Sequence, residues 1–93
     1  MSANTYPRVT MYSTTWCGDC RRSKRLLDEH AVPYEEINID ESPEAAREVM
    51  RLNRGHRSVP TIVIEGGDVL VEPSNRQLAE ALGIDLTQPT AAR

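Results

Sequence analysis

RVTMYSTTWCGDC, residues Arg8 to Cys20, is the stretch on which the fold turns. Its first six residues alternate, with Val9 and Met11 on one side and Tyr12 on the other, which is the period of a strand. Thr14 to Cys17 reads as a loop. From Gly18 to His30 the period becomes helical: Ser23, Leu26, Leu27 and His30 fall near one face, and Arg22, Arg25 and Glu29 turn away. Two cysteines therefore stand where a strand passes into a helix. A thiolate at a helix N-terminus faces unpaired backbone N–H groups and the positive end of the macrodipole. Both lower its pKa from the free value of about 8.5. Cys17, at the tip, is the expected nucleophile. Cys20, most of a turn into the helix, is more covered but within bonding reach.

This spacing fits a two-step exchange. The Cys17 thiolate attacks a disulfide sulfur to give a mixed disulfide, and Cys20 then attacks Cys17 and releases the product. Arg21, Arg22 and Lys24 favour the thiolate, whereas Asp19, next to Gly18 between the cysteines, disfavours it. Asp19 is free to turn to solvent, so the dipole and the basic residues are expected to prevail. Gly18, Asp19 and Arg21 are the residues expected to tune the pKa. On the residues alone, three other uses stay open: an unreactive buried pair, a zinc site, and an iron–sulfur cluster shared between two chains. For zinc, His30 and His56 are the only histidines and stand far apart in sequence.

Working outward, Val32-Pro33 breaks the helix. Tyr34 to Ile39 alternates as a second strand with Ile37 and Ile39 inward. Ser42, Pro43 and Glu44 form a helix start. That helix is expected to run to about Asn53 and bury Ala46, Val49 and Met50, with Gly55 as its stop. Thr61 to Glu65 is a third strand, Gly66-Gly67 a two-residue hairpin turn, and Asp68 to Val71 the returning strand. Ser74 caps a last helix that buries Leu78 and Leu82 and ends at Gly83. Strand–helix–strand crossovers imply parallel pairing, and the hairpin implies an antiparallel pair. The expected class is α/β, in the order β-α-β-α-β-β-α, with one mixed four-stranded sheet flanked by helices. The expected domain is 8–83, between an N-terminal extension (1–7) and a C-terminal tail (84–93).

With 93 residues, the chain supports one domain. One Trp, three Tyr and no Phe leave a mostly aliphatic core. The 11 basic and 14 acidic residues give a net charge of −3, which argues against nucleic acid as a partner. No apolar run approaches the ~20 residues of a membrane span. The N-terminus lacks the apolar stretch of a signal peptide, so the expected compartment is the cytoplasm, where thiols stay mostly reduced.

Three features are similar to the glutaredoxin-like branch of the thioredoxin-fold proteins over roughly residues 8–83. They are Trp16-Cys-x-x-Cys20 after a first strand, Val59-Pro60 before the third, and a Gly-containing hairpin. The resemblance implies a cis Pro60 packed beside the cysteine pair, with Val59 offering backbone groups that pair with substrate. Asn53-x-Gly55-x-Arg57-x-Val59-Pro60-Thr61 and Glu72-Pro73-Ser74 resemble the mycoredoxin motifs N-x-G-x-R-x-V-P-T and N-P-S. Glu72 stands where those carry Asn, and Asp19 where they commonly carry Tyr. The implied activity is reduction of mixed disulfides between proteins and a low-molecular-weight thiol. The thiol is a co-substrate (mycothiol, bacillithiol or glutathione), with no bound cofactor and no metal. Arg57 is a candidate contact for a planar anion, Trp16 a docking platform, and Glu72 a further substrate contact. Two other functions remain: a dithiol electron donor of the ribonucleotide-reductase type recharged by a flavoprotein disulfide reductase, and a non-catalytic adaptor or iron–sulfur carrier. A monomer is expected.

Overall fold

The computed structural model describes residues 6–87. Its elements run β1 (Val9–Ser13), α1 (Gly18–Glu29), β2 (Glu35–Asn38), α2 (Pro43–Leu52), β3 (Thr61–Ile64), β4 (Val69–Val71) and α3 (Asn75–Leu82). They form one four-stranded sheet in the order β2-β1-β3-β4. The alternation read in β1 decides how both faces are used. Val9 and Met11 are fully buried beneath α1 and α3, in a cluster with Leu26, Leu27, Ile62, Ile64, Leu78 and Leu82. Tyr12 points the other way, against Ile39, Ala45 and Val49 on the side covered by α2. Cores on both faces fix the register strongly, because a one-residue slip would exchange them.

β1 pairs parallel with β2, as the first crossover requires. The second crossover departs from expectation. β3 lies on the far side of β1 and antiparallel to it, with Val9 opposite Ile64 and Met11 opposite Ile62. Opposed residues share a face, so this register stacks four buried aliphatic side chains on one layer. A strand–helix–strand order implies parallel pairing only when the two strands become neighbours, and β1 separates these two.

Three local corrections follow. The β3–β4 hairpin closes over Glu65, Gly66 and Gly67, because the Ile64 N–H donates to the Asp68 carbonyl at 3.0 Å and Gly67 N–H to Ile64 at 2.9 Å. It is therefore a three-residue connection, with Gly66 at φ +76° in the position that demands a glycine. In α2 the buried residues are Ala45 and Val49, while Ala46 and Met50 are half-buried. The Ser42 side chain accepts the Ala45 N–H at 3.2 Å, and this cap sets the helix phase. α1 ends before Pro33, in a Schellman turn: Val32 N–H reaches Leu27 O at 2.9 Å and Ala31 N–H reaches Asp28 O at 3.2 Å. His30, expected near the buried face, is its half-buried C-cap. Tyr6 and Ile84, just outside 8–83, pack against the larger core. Most of the expected C-terminal tail lies outside the described residues, and no described helix is long and apolar enough to cross a membrane.

Candidate active site

β1 delivers the chain through Thr14–Trp16 to Cys17, which is the N-cap of α1. Its backbone is extended (φ −119°, ψ 106°), and its sulfur accepts the Cys20 N–H at 3.0 Å. The orphan donor that a Ser or Asp would usually satisfy here is directed at sulfur instead. Cys17 and Cys20 form a disulfide, with Cα atoms 5.2 Å apart. Cys20 is 2% exposed and Cys17 9%, so the tip cysteine is the more accessible of the pair. Gly18 and Asp19 are exposed, and Asp19 lies 3.5 Å from the Arg22 guanidinium. That pairing offsets the one negative charge inside the motif. Trp16 is 86% exposed, an aromatic ring in water immediately before Cys17.

The Val59–Pro60 bond is cis. Pro60 is buried, and its carbonyl accepts the Glu72 N–H at 2.8 Å. Thr61 pairs with Tyr12, so Pro60 stands at the end of the sheet from which the Thr14–Cys17 loop departs. Thr61 is fully buried; its hydroxyl donates to Ser58 O at 2.7 Å and accepts from Asn53 Nδ2 at 3.0 Å. Two residues of the Asn53–Thr61 motif are thus braces that hold the loop carrying Val59. The Val59 side chain packs on the α2 side of the sheet, and within the described residues no hydrogen bond engages its N–H or C=O. Glu72 adopts a left-handed φ of +50° before Pro73, whose carbonyl accepts from Arg22 at 3.2 Å. Arg57 does not join the cysteines. Its guanidinium lies 3.4 Å from Asp40 Oδ1, both side chains being more than half exposed.

A polar groove of about 360 Å³ opens on the β2 side of the disulfide, lined among others by Cys17, Cys20, Arg21, Lys24, Glu36 and Asn38. Glu36 is held twice: Lys24 Nζ lies 3.0 Å from Oε1, and the buried Ser13 hydroxyl donates to Oε2 at 2.8 Å. Burial raises its pKa, but these two hydrogen bonds and the Lys24 charge outweigh it and hold the carboxyl below the ordinary range. Sequence reasoning counted Lys24 among the basic residues that favour the Cys17 thiolate and did not single out Glu36, Ser13 or Asn38. The legible part of the signal is that Lys24 lies one turn beyond Cys20 on the same helix face. The rest depends on the parallel pairing of β1 with β2.

An N-cap cysteine disulfide-bonded to its i+3 neighbour, at the same end of a β2-β1-β3-β4 sheet as a cis proline, defines a thioredoxin-like dithiol redox protein. The glutaredoxin family model matches residues 9–70. The chain belongs to the glutaredoxin family of thiol–disulfide oxidoreductases. A protein named as a glutaredoxin from Mycobacterium tuberculosis is 39% identical over 66 residues, spanning 71% of this chain and 79% of that protein. Mycoredoxin 1 of Corynebacterium glutamicum is 37% identical over 65 residues, spanning 70% of this chain and 80% of its own length. Among solved structures, the glutaredoxin-like NrdH-redoxin of Escherichia coli superposes with a TM-score of 0.68 at 26% identity, covering 78% of this chain and 92% of that one.

Proposed function

We propose that this protein reduces mixed disulfides between cytoplasmic proteins and a low-molecular-weight thiol, with Cys17 as nucleophile and Cys20 as resolving thiol. The observation that carries this reading is the Cys17 sulfur at the helix N-cap, 3.0 Å from a backbone N–H. In the reduced protein the same donor stabilises a Cys17 thiolate. That thiolate attacks one sulfur of the substrate disulfide; a Cys17–substrate bond forms, and the displaced thiolate takes a proton. Cys20 then attacks Cys17, the Cys17–substrate bond breaks, and the Cys17–Cys20 disulfide is left for an external thiol to reduce. The free backbone groups of Val59 and the exposed Trp16 ring are the contacts expected to hold the substrate. Glu72 and Arg57 stand at the margin, and Arg57 must leave Asp40 to take part. Similarity to mycoredoxin 1 favours mycothiol over bacillithiol or glutathione as the small thiol.

The test is a panel of mixed disulfides formed on one protein with mycothiol, bacillithiol, glutathione and coenzyme A. Release of the small thiol is expected to be fastest for mycothiol and absent in Cys17→Ser. Equal rates across the panel would remove the thiol preference, and activity retained by Cys17→Ser would remove the mechanism. The similarity to NrdH-redoxin supports a second reading, a dithiol electron donor recharged by a flavoprotein disulfide reductase. Faster recharging of oxidised protein by NADPH plus such a reductase than by small thiols would favour it.

A further inference from the structure

The groove beside the disulfide carries a charge arrangement that the exchange chemistry above does not use. Cys20 is sealed from bulk solvent, yet it must lose a proton before it can attack Cys17. It borders the groove, and so do the charged groups that face it. These are Arg21 and Lys24 from α1, Glu36 from β2 and Glu41 from the following loop; the end of β1 and the loop after it contribute the uncharged Ser13, Thr14 and Thr15. The Asp19–Arg22 pair lies outside the groove lining. Lys24 is four residues beyond Cys20, which stacks the two on one helix face. Its ammonium is fixed there by Glu36, and Glu36 in turn by the buried Ser13.

We propose that Lys24 and Glu36 are positioning residues that set the protonation of Cys20, with Lys24 lowering and Glu36 raising the pH at which its thiolate forms. This rests on the reading of Cys20 as the resolving thiol. In the resolving step the Cys20 proton passes to groove water and Cys20 attacks Cys17. The 17–20 bond forms, the Cys17–substrate bond breaks, and the departing thiolate takes up a proton. A cation beside Cys20 favours the thiolate, and a carboxylate opposes it. While the two are paired, their effects largely cancel. Losing Lys24 leaves Glu36 as an uncompensated negative charge on the groove, and losing Glu36 leaves Lys24 as an uncompensated positive one. Neither residue touches the reacting sulfurs in this scheme, and each acts through the field at Cys20.

The test uses the full chain in a Cys17→Ser background, where Cys20 is the single thiol, and follows thiolate absorbance or alkylation rate against pH. Lys24→Gln is expected to move the midpoint up by roughly half to one pH unit, a three- to tenfold loss of thiolate below it. Glu36→Gln moves it down by a similar amount. Lys24→Gln combined with Glu36→Gln, and Lys24→Arg alone, return it close to the starting value. No movement in either single variant overturns the proposal, and so does movement of both in the same direction, which a general loosening would give. The readout needs no substrate, so its failure is separate from failure of the mixed-disulfide assay.

Discussion

Glu36 shows how one side chain acquires a role that its sequence position does not announce. In the strand YEEINI it is one of two adjacent acids, and alternation alone assigns Glu35 and Glu36 to opposite faces. The parallel β1–β2 pairing brings Glu36 to the Ser13 hydroxyl and the Lys24 ammonium. Because the folded carboxyl is more acidic than the unfolded one, the contribution is present above the unfolded value, about 4.3. It is lost as pH falls through the folded value. Glu36→Gln is therefore expected to cost about 0.5–1 kcal/mol at pH 7, a size typical of one partly exposed pair with one hydrogen bond. The cost should shrink towards zero in strong acid. Urea midpoints of both proteins at the two pH values test this; an undiminished deficit in acid would assign it to packing instead. The same scale explains Cys17. Its place before a helix was legible from local periodicity, and the bond from Cys20 N–H follows from that place alone.

At the scale of elements, helix starts were more legible than helix ends. Ser42-Pro43 and Ser74 cap as read, and Ser74 forms a full capping box with Gln77. Ends depend on which residues accept a left-handed φ. α3 ends at the glycine that advertises it, Gly83 at +73°, and α2 ends through Arg54 (+56°) and Gly55 (+93°), whose N–H reaches Met50 O at 2.7 Å. Ala31 (+55°) ends α1, and that residue type signals no stop. A Cβ in this region costs about 1 kcal/mol, partly offset by the greater unfolded-state freedom of glycine. Ala31→Gly is accordingly expected to raise stability by about 0.5 kcal/mol, and Gly83→Ala to lower it by a similar amount. Open space around a Cβ at position 83 leaves the second change free of steric clash, so it reports the backbone balance alone. Thermal unfolding of both variants decides it, and destabilisation by Ala31→Gly would contradict the assignment. The antiparallel placement of β3 was not legible, since pairing across β1 joins residues some fifty positions apart.

For the whole molecule, the two buried faces of the sheet do different work. The larger core clamps α1 and α3 together, and the smaller one seats α2 and Val59. Between them they hold the α1 N-terminus and the cis-proline loop at one end of the sheet. The chemistry thus rests on an orientation that no local segment possesses: the first turn of α1 must stay formed for its N–H groups to face Cys17. Family motifs in the sequence pointed to this end of the molecule, but the groove walled by α1 and β2 emerged only from the assembled fold. The direct test is the pKa of Cys17 in the reduced protein, titrated by thiolate absorbance in the folded state and again in denaturant. A folded value well below the free thiol value of about 8.5, returning to it on unfolding, is the expected result. A folded value at or above that of a free thiol would contradict the assignment of Cys17 as the nucleophile.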